Sequence, residues 1–356
     1  MSGPDGQPFF RSRWVDAPAG VEELDPAQLA PGFRAGGAHC GLKGGGKTDV
    51  GLVVCDEETV TSALLLTRNA SAAAPIRVCR EIVDRGRIRA AVVNSGNANA
   101  ETGAQGYADA LAMCERAAKA LGIAGEAVAV AETGTIGVPL PIAAVLPGID
   151  AAAASLSAGG GDAFSDAIVT TDRWPKRCTL KLDGVTLSAQ AKGAGMIEPN
   201  MATMLCFVQT DAVVTDPAAE LQAAVDASFN RITVDGQMST NDCVLLQATG
   251  ASGEPLPEGL LAAVLTQLAV EIVREKQALT VPYIPGYLAF REGPALRTAI
   301  QKLRHAFGVI CFDGHGIAHP RRCGIAAFLG VELDLPAVGV AKSVLCGTFD
   351  EPADAA

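Results

Sequence analysis

"AKGAGMIEPNMATMLCF" occupies residues 191–207. Two glycines, Gly193 and Gly195, break the chain, and Pro199 follows before an apolar run. Thr203 stands between Ala202 and the bulky pair Met204-Leu205. The flanks decide how the stretch folds. Upstream, "CTLKLDGVTLSAQAK" (178–192) reads as two alternating runs around Asp183-Gly184, the pattern of a hairpin. Downstream, "LCFVQTDAVV" (205–214) reads as a strand. A glycine-bearing loop with a lone hydroxyl therefore sits between strands.

Outward from this loop the same two patterns alternate. "DVGLVVCD" (49–56), "IRAAVVNSG" (88–96), "AVAVAETG" (127–134) and "DCVLLQATG" (242–250) read as strands. "YADALAMCERAAKALG" (107–122), "DPAAELQAAVDASFNRI" (216–232) and "EGLLAAVLTQLAVEIVREK" (258–276) read as helices, and residues 150–172 as a helix, a glycine break and a second helix. Residues 1–30 read as an irregular lead. Hairpins mixed with helices point to α+β layers rather than a doubly wound sheet.

Composition narrows the function classes. The 356 residues are 49% hydrophobic, 19% charged and only 4% aromatic, so small side chains must pack the layers. No apolar run reaches membrane-spanning length, and the start lacks the apolar stretch of a secretory signal. The ten cysteines include no CxxC pair, which argues for reduced thiols, a cytoplasmic location and no zinc site. Net charge is −11. Residues 274–356 carry nine Lys/Arg against eight Asp/Glu, so the rest of the chain holds −12. That body repels nucleic acid in bulk.

"GLKGGGKT" (41–48) fits the phosphate-loop pattern letter for letter. The mechanism needs a strand before and a helix after. Here "PGFRAGGAHC" is a poor strand and "DVGLVVCD" is not a helix, so a glycine-rich turn entering a strand is expected.

The four histidines are His39, His305, His315 and His319. A hydroxyl nucleophile in the central body must use another base or borrow His39. A threonine solves this by becoming the first residue of a chain, because its own α-amine, with a pKa of roughly 7.7–8.0, accepts the proton. The solution requires scission of the Ala202–Thr203 bond, by an N-to-O acyl shift.

Further motifs occur together: "KGAGMIEPNMATML" (192–205), "VVNSGNANAETG" (92–103), "ETGTIG" (132–137), "TTDRWPK" (170–176), "GFRAGGAHCGLKGGGKTDVGLVV" and "STNDCVLLQATGASG". Over about residues 28–274 the chain resembles the ornithine acetyltransferases of arginine biosynthesis. The resemblance implies a layered α+β sandwich of the DmpA/ArgJ-like, N-terminal-nucleophile-like kind. It implies self-cleavage between Ala202 and Thr203 into α and β chains that stay associated, as a heterotetramer of two of each. Thr203 would take an acetyl group from N2-acetylornithine and pass it to glutamate, without a cofactor, and acetyl-CoA is a further donor in part of the family. Thr133 and Gly134 match the oxyanion-hole pair, and Thr170 or Thr171, Lys192 and Thr203 the substrate-binding positions. Family members continue past the long helix with Asp-Gly-Glu-Gly-Ala-Thr-Lys, where this chain reads "IVREKQALTVPYIPG" and offers only Glu275. Transfer is expected to be impaired by that departure.

From about residue 281 the texture changes. "PYIPGYLAFREGPAL", "FDGHGIAHPRRCGIAAFLG" and "LPAVGVAKSVLCG" resemble the middle of endonuclease V over 281–347. This implies a partial RNase H-like α/β segment, with Tyr283 as strand-separating wedge, Glu292 and Asp313 as Mg²⁺ ligands, and His319 and Lys342 in the active site. Carboxylates suit Mg²⁺, which takes oxygen ligands. DNA is a partner only under this alternative. The expected division is 1–276 and 277–356.

Overall fold

The computed structural model describes residues 7–197, 204–233 and 238–274, and, further on, 293, 296, 297, 300, 307–320, 322–340 and 346. The chain divides into two compact units, 1–275 and 276–356.

The first unit has mixed α and β content. Its elements are β1 (Glu22–Glu23), β2 (Phe33–Ala38), β3 (Val50–Cys55), β4 (Thr61–Leu66), α1 (Ala74–Glu81), β5 (Ala90–Asn97), α2 (Gly103–Leu121) and β6 (Val128–Thr135). These are followed by α3 (Ile142–Ala154), α4 (Gly161–Ile168), β7 (Lys176–Leu182), β8 (Val185–Lys192), β9 (Leu205–Thr210), α5 (Pro217–Ala227), β10 (Cys243–Ala248) and α6 (Leu260–Arg274). The strands form a four-stranded sheet, β2-β3-β5-β6, and a six-stranded sheet, β1-β7-β8-β9-β10-β4. In each sheet one parallel pair is joined through a helix: β5 to β6 by α2, and β9 to β10 by α5. α5 starts cleanly because Asp216 accepts the Ala219 amide at 3.0 Å and Pro217 opens the first turn. The β7–β8 hairpin turns at Asp183 (φ 49) and Gly184 (φ 82), the positive pair that a tight two-residue turn requires.

Side-chain alternation sends β9 and β10 into two cores. Leu205, Phe207, Cys243 and Leu245 join the core of the four-stranded sheet and α1–α4. Phe164 meets Phe207 edge-on there, ring centroids 5.2 Å apart. Cys206, Val208, Val244 and Leu246 face the other way, against Leu221 and Val225 of α5 and Leu261, Leu265 and Leu268 of α6. β3, β5, β8, β9 and β10 are buried nearly throughout, as expected of strands covered on both faces.

One expectation is corrected. "PGFRAGGAHC" contains a real strand, β2, antiparallel to β3 from Phe33↔Cys55 to Ala38↔Val50. Its glycines weaken the strand pattern because helices lie on them. A Cβ on Gly36 would stand 2.5 Å from Ser155 Oγ, and one on Gly37 2.5 Å from Ala163 O. Residues 41–48 do form a turn entering β3, as expected. β4 and α1 went unread, and β1 lies in the stretch taken as irregular.

In the second unit β11 (Ile310–Asp313) and β12 (Ala337–Val340) pair in parallel, and α7 (Ile325–Leu333) connects them. Phe312, Ile325, Ala326 and Leu329 form its small core. Among the described residues no helix is long and apolar enough to cross a membrane.

Candidate active site

The ends of β5, β6 and β8 and the loop before β10 meet at a cavity of about 510 Å³. Thr133, Gly134, Thr170, Thr171 and Lys192 all line it, although the sequence separates them by up to 59 positions. Lys192 is the last residue of β8 and is only 5% exposed, so it is no solvated strand end. Its Nζ donates to Thr133 Oγ1 at 2.6 Å. Because that oxygen accepts from the lysine, the threonine's own hydroxyl hydrogen is left to donate elsewhere.

Gly134 sits where the β5–β6 ladder loses register, between Gly96 and Asn97. Its φ is 139, and a Cβ there would lie 2.3 Å from the Gly96 carbonyl carbon and 2.5 Å from Asn97 N. Backbone meets backbone, so only glycine fits. Irregular pairing of this kind re-aims main-chain groups beside functional sites.

Buried charge surrounds the cavity. Asp172 accepts the Gly193 amide and Lys176 Nζ on Oδ1, both at 2.8 Å, and the Thr170 amide on Oδ2 at 3.2 Å. Burial pushes its carboxyl up, but Lys176, Lys192 and these hydrogen bonds outweigh burial and hold it below the usual range. Burial pulls the Lys192 ammonium down, partly opposed by Asp172 and Asp242. Burial pushes Asp242 well up, against Lys192, the Ser239 hydroxyl and the Met204 amide. Glu132, fully buried beside Thr133, is pushed up to about 8 by burial, while a 2.8 Å bond from Asn99 Nδ2 opposes this. Asn241 Nδ2 donates to Ala98 O at 2.6 Å and to Glu132 O at 2.9 Å, tying the β10 loop to the ends of β5 and β6.

Ala202 and Thr203 lie outside the described residues. Met204, the next residue along, is buried, and its amide donates to Asp242 Oδ1 at 3.1 Å. His39 does not line the cavity: its Nδ1 faces Lys47 O at 2.7 Å and the Asp49 carboxylate at 3.3 Å. Sequence reasoning quoted the motifs holding Glu132, Asp172, Asn241 and Asp242 but singled out none of the four. For Glu132, Asn241 and Asp242 the signal was position, a polar residue at the end of an apolar run, whereas Asp172 stands in the turn between α4 and β7.

In the second unit, Tyr283, Glu292 and Lys342 lie outside the described residues, as does the side chain of Asp313. His319 is buried in the turn after β11. Among the described residues no group of three or more His, Cys, Asp or Glu gathers to hold a metal ion, so no step is derived through one.

Two family models match the chain and overlap over residues 258–280. Residues 34–280 match the ArgJ family model. Residues 258–356 match the Endonuclease V model, starting earlier than its motifs suggested and overlapping α6, which the fold places in the first unit. The arginine biosynthesis bifunctional protein ArgJ of Symbiobacterium thermophilum is 48% identical over 279 residues, 73% of this chain and 69% of its own. The protein of the same name from Thermobifida fusca is 42% identical, covering 68% of this chain and 64% of its own. The chain thus spans about two thirds of the length of these curated relatives. A crystal structure of ornithine acetyltransferase complexed with ornithine, from Mycobacterium tuberculosis, is 38% identical, covers 50% of this chain and 98% of its own, and superposes with a TM-score of 0.48. On the family match and the identity to these relatives, the chain belongs to the ArgJ family of arginine-biosynthesis enzymes.

Proposed function

We propose that the chain is a glutamate N-acetyltransferase of the ornithine acetyltransferase type, working through an N-terminal threonine. One observation carries the reading. Thr133, Gly134, Thr170, Thr171 and Lys192 converge on one cavity, and the residue after Thr203 is anchored at a residue adjoining its Asn241 wall. The layers of the first unit support the DmpA/ArgJ-like, N-terminal-nucleophile-like sandwich.

In this reading the Ala202–Thr203 bond is first broken, leaving α and β chains that stay together, two of each in a heterotetramer. The freed α-amine of Thr203 then accepts the proton of its own hydroxyl. The hydroxyl oxygen bonds to the acetyl carbon of N2-acetylornithine, the amide C–N bond breaks, and ornithine leaves with the proton on its amine. The amine of glutamate attacks the resulting ester and frees Thr203. The Gly134 amide and the Thr133 hydroxyl stabilise the oxyanion, and losing one such donor costs ~10²–10³ in rate. Lys192 serves a substrate carboxylate as well as Thr133. No cofactor enters. Acetyl-CoA is retained as a second donor for the same assay. We place the enzyme in the cytoplasm, where its ten unpaired cysteines persist as thiols.

Intact mass spectrometry of the purified protein tests the reading. Two chains are expected, the smaller beginning at Thr203, with an acetyl adduct on it after exposure to N2-acetylornithine. Thr203→Ala should give one uncut chain. A single chain from the unaltered protein would overturn the reading.

The match of residues 258–356 to Endonuclease V supports a second reading for that segment. A parallel strand pair joined by a helix is in keeping with a partial RNase H-like fold. Glu292 and Asp313 would hold Mg²⁺, with Tyr283, His319 and Lys342 serving the DNA. Mg²⁺-dependent nicking of deoxyinosine DNA that disappears in Asp313→Ala would establish it. Absence of nicking would dismiss it.

A further inference from the structure

One carboxylate pins the glycine-rich loop that precedes β3. Asp49, fully buried, accepts the amides of Cys40 at 2.6 Å, Gly41 at 3.1 Å and Lys43 at 2.9 Å. The loop also lies against the irregular end of β5. A Cβ on Gly96 would stand 2.8 Å from Leu42 O, and Gly96 is the residue that packs on Gly134. Lys43 is thereby set at the same end of the four-stranded sheet as Thr133 and Gly134, and it lines the cavity with them. Its Nζ donates to Asp166 O at 3.1 Å and Val169 O at 3.0 Å. An ammonium has three hydrogens, and these bonds use two. The carboxylates of Asp49, Asp166 and Asp172 act on it at a distance, and among the described residues none makes a hydrogen bond to it.

We infer that Lys43 is the specificity-determining residue for the acceptor, binding the second carboxylate of glutamate. This rests on the acetyltransferase reading above and says how that cavity tells its two substrates apart. N2-acetylornithine carries one carboxylate, and its far end is an ammonium. Glutamate carries two carboxylates. The cavity offers two lysines, Lys192 at the end of β8 in the six-stranded sheet and Lys43 in the loop entering β3 of the four-stranded sheet. One cation serves the carboxylate that both substrates share. The second attracts the extra carboxylate of glutamate and repels the ammonium of the donor, so one charge supplies both the attraction and the rejection.

The surroundings prepare that charge for a ligand. Burial pulls the Lys43 ammonium down and Lys47 adds to the pull, while Asp49, Asp166 and Asp172 oppose it. Partial burial strengthens a charge-assisted hydrogen bond, because less water competes for it. The two carbonyls hold the ammonium in place beforehand, so little side-chain freedom is left to lose on binding. Thr170 and Thr171, which follow the Val169 carbonyl, bring hydroxyls to the same wall.

Calorimetric titration of the purified full chain with glutamate and with glutamine tests this. Glutamine has the same length, but its far end carries no charge. The unaltered protein should bind glutamate about 10–10²-fold tighter. Lys43→Met should bring glutamate down to the level of glutamine and leave glutamine within a few-fold. Lys43→Gln removes the charge but keeps N–H donors for the two carbonyls, and should lose the discrimination in the same way. Lys43→Arg should recover part of it, and Lys47→Met, in the same loop, should keep all of it. An unaltered protein that binds both ligands alike or neither, or a Lys43→Gln protein that still prefers glutamate, would overturn the assignment. So would equal weakening of both ligands, the result of a loosened Thr170–Thr171 wall alone. The titration needs no turnover. Absence of acetyl transfer would therefore sink the threonine reading with glutamate binding intact, whereas a failure to discriminate sinks only the role of Lys43.

Discussion

The 2.6 Å hydrogen bond from Lys192 Nζ to Thr133 Oγ1 joins the end of β8, in the six-stranded sheet, to the end of β6, in the four-stranded sheet. A flexible side chain is thereby held in one rotamer, between two acids that each act on it, Asp172 and Asp242. Removing the ammonium takes from Asp242 the cation that acts on it, while Asp172 keeps Lys176. Breaking a buried charge pair by deleting one partner costs about 3–5 kcal/mol. Lys192→Met is therefore expected to lower the melting temperature, and also to lower kcat/KM, because Thr133 loses its anchor and the substrate loses its cation. Thermal unfolding together with steady-state kinetics checks this. A variant as stable and as active as the parent would remove Lys192 from both roles.

Glu132 gives the chain a stability that depends on pH. Burial lifts its carboxyl from 4.5 to about 8 in the folded protein. Between those values the folded state holds a proton that the unfolded state has released. Stability therefore falls as pH rises through that window, by up to about 1.4 kcal/mol per pH unit from this group. Glu132→Gln keeps an acceptor for Asn99 and cannot ionise. It should match the parent near the acidic end of the window and exceed it near the alkaline end. Denaturant unfolding at several pH values reads the slope, and an unchanged slope in the variant would refute the assignment.

How much of this was legible in the sequence depended on whether local pattern or distant packing set the conformation. β3, β5, β6, β9 and β10 were readable because continuous apolar runs bounded by polar residues leave little choice. The β7–β8 turn was readable because Asp183-Gly184 is itself the signal. β2 was misjudged because Gly36 and Gly37 answer to α3 and α4, which lie far along the chain. Of the site, Thr133, Gly134, Thr170, Thr171 and Lys192 were legible only through resemblance. Asp172 and Asp242 were not singled out, since a carboxylate in a turn is ordinary until burial gives it charged partners.

Lys43 and Lys47 offer a contrast within one glycine-rich loop. Lys43 lines the cavity and donates to Asp166 O at 3.1 Å and Val169 O at 3.0 Å, closing the C-terminal end of α4 just before Thr170 and Thr171. A cation there satisfies carbonyls that the helix leaves unpaired and complements its dipole. Lys47 holds the lysine position of the phosphate-loop pattern, yet its side chain is exposed and the turn runs into a strand, with no helix to meet a phosphate. Lys43→Met should lose about 1 kcal/mol of stability and raise KM, by loosening the Thr170–Thr171 wall, with less effect on kcat. Lys47→Met should leave both constants and stability unchanged. Kinetics on the two variants decides between the readings of this loop. A silent Lys43→Met beside a damaging Lys47→Met, with nucleoside triphosphate binding lost in the latter, would restore the phosphate-loop interpretation.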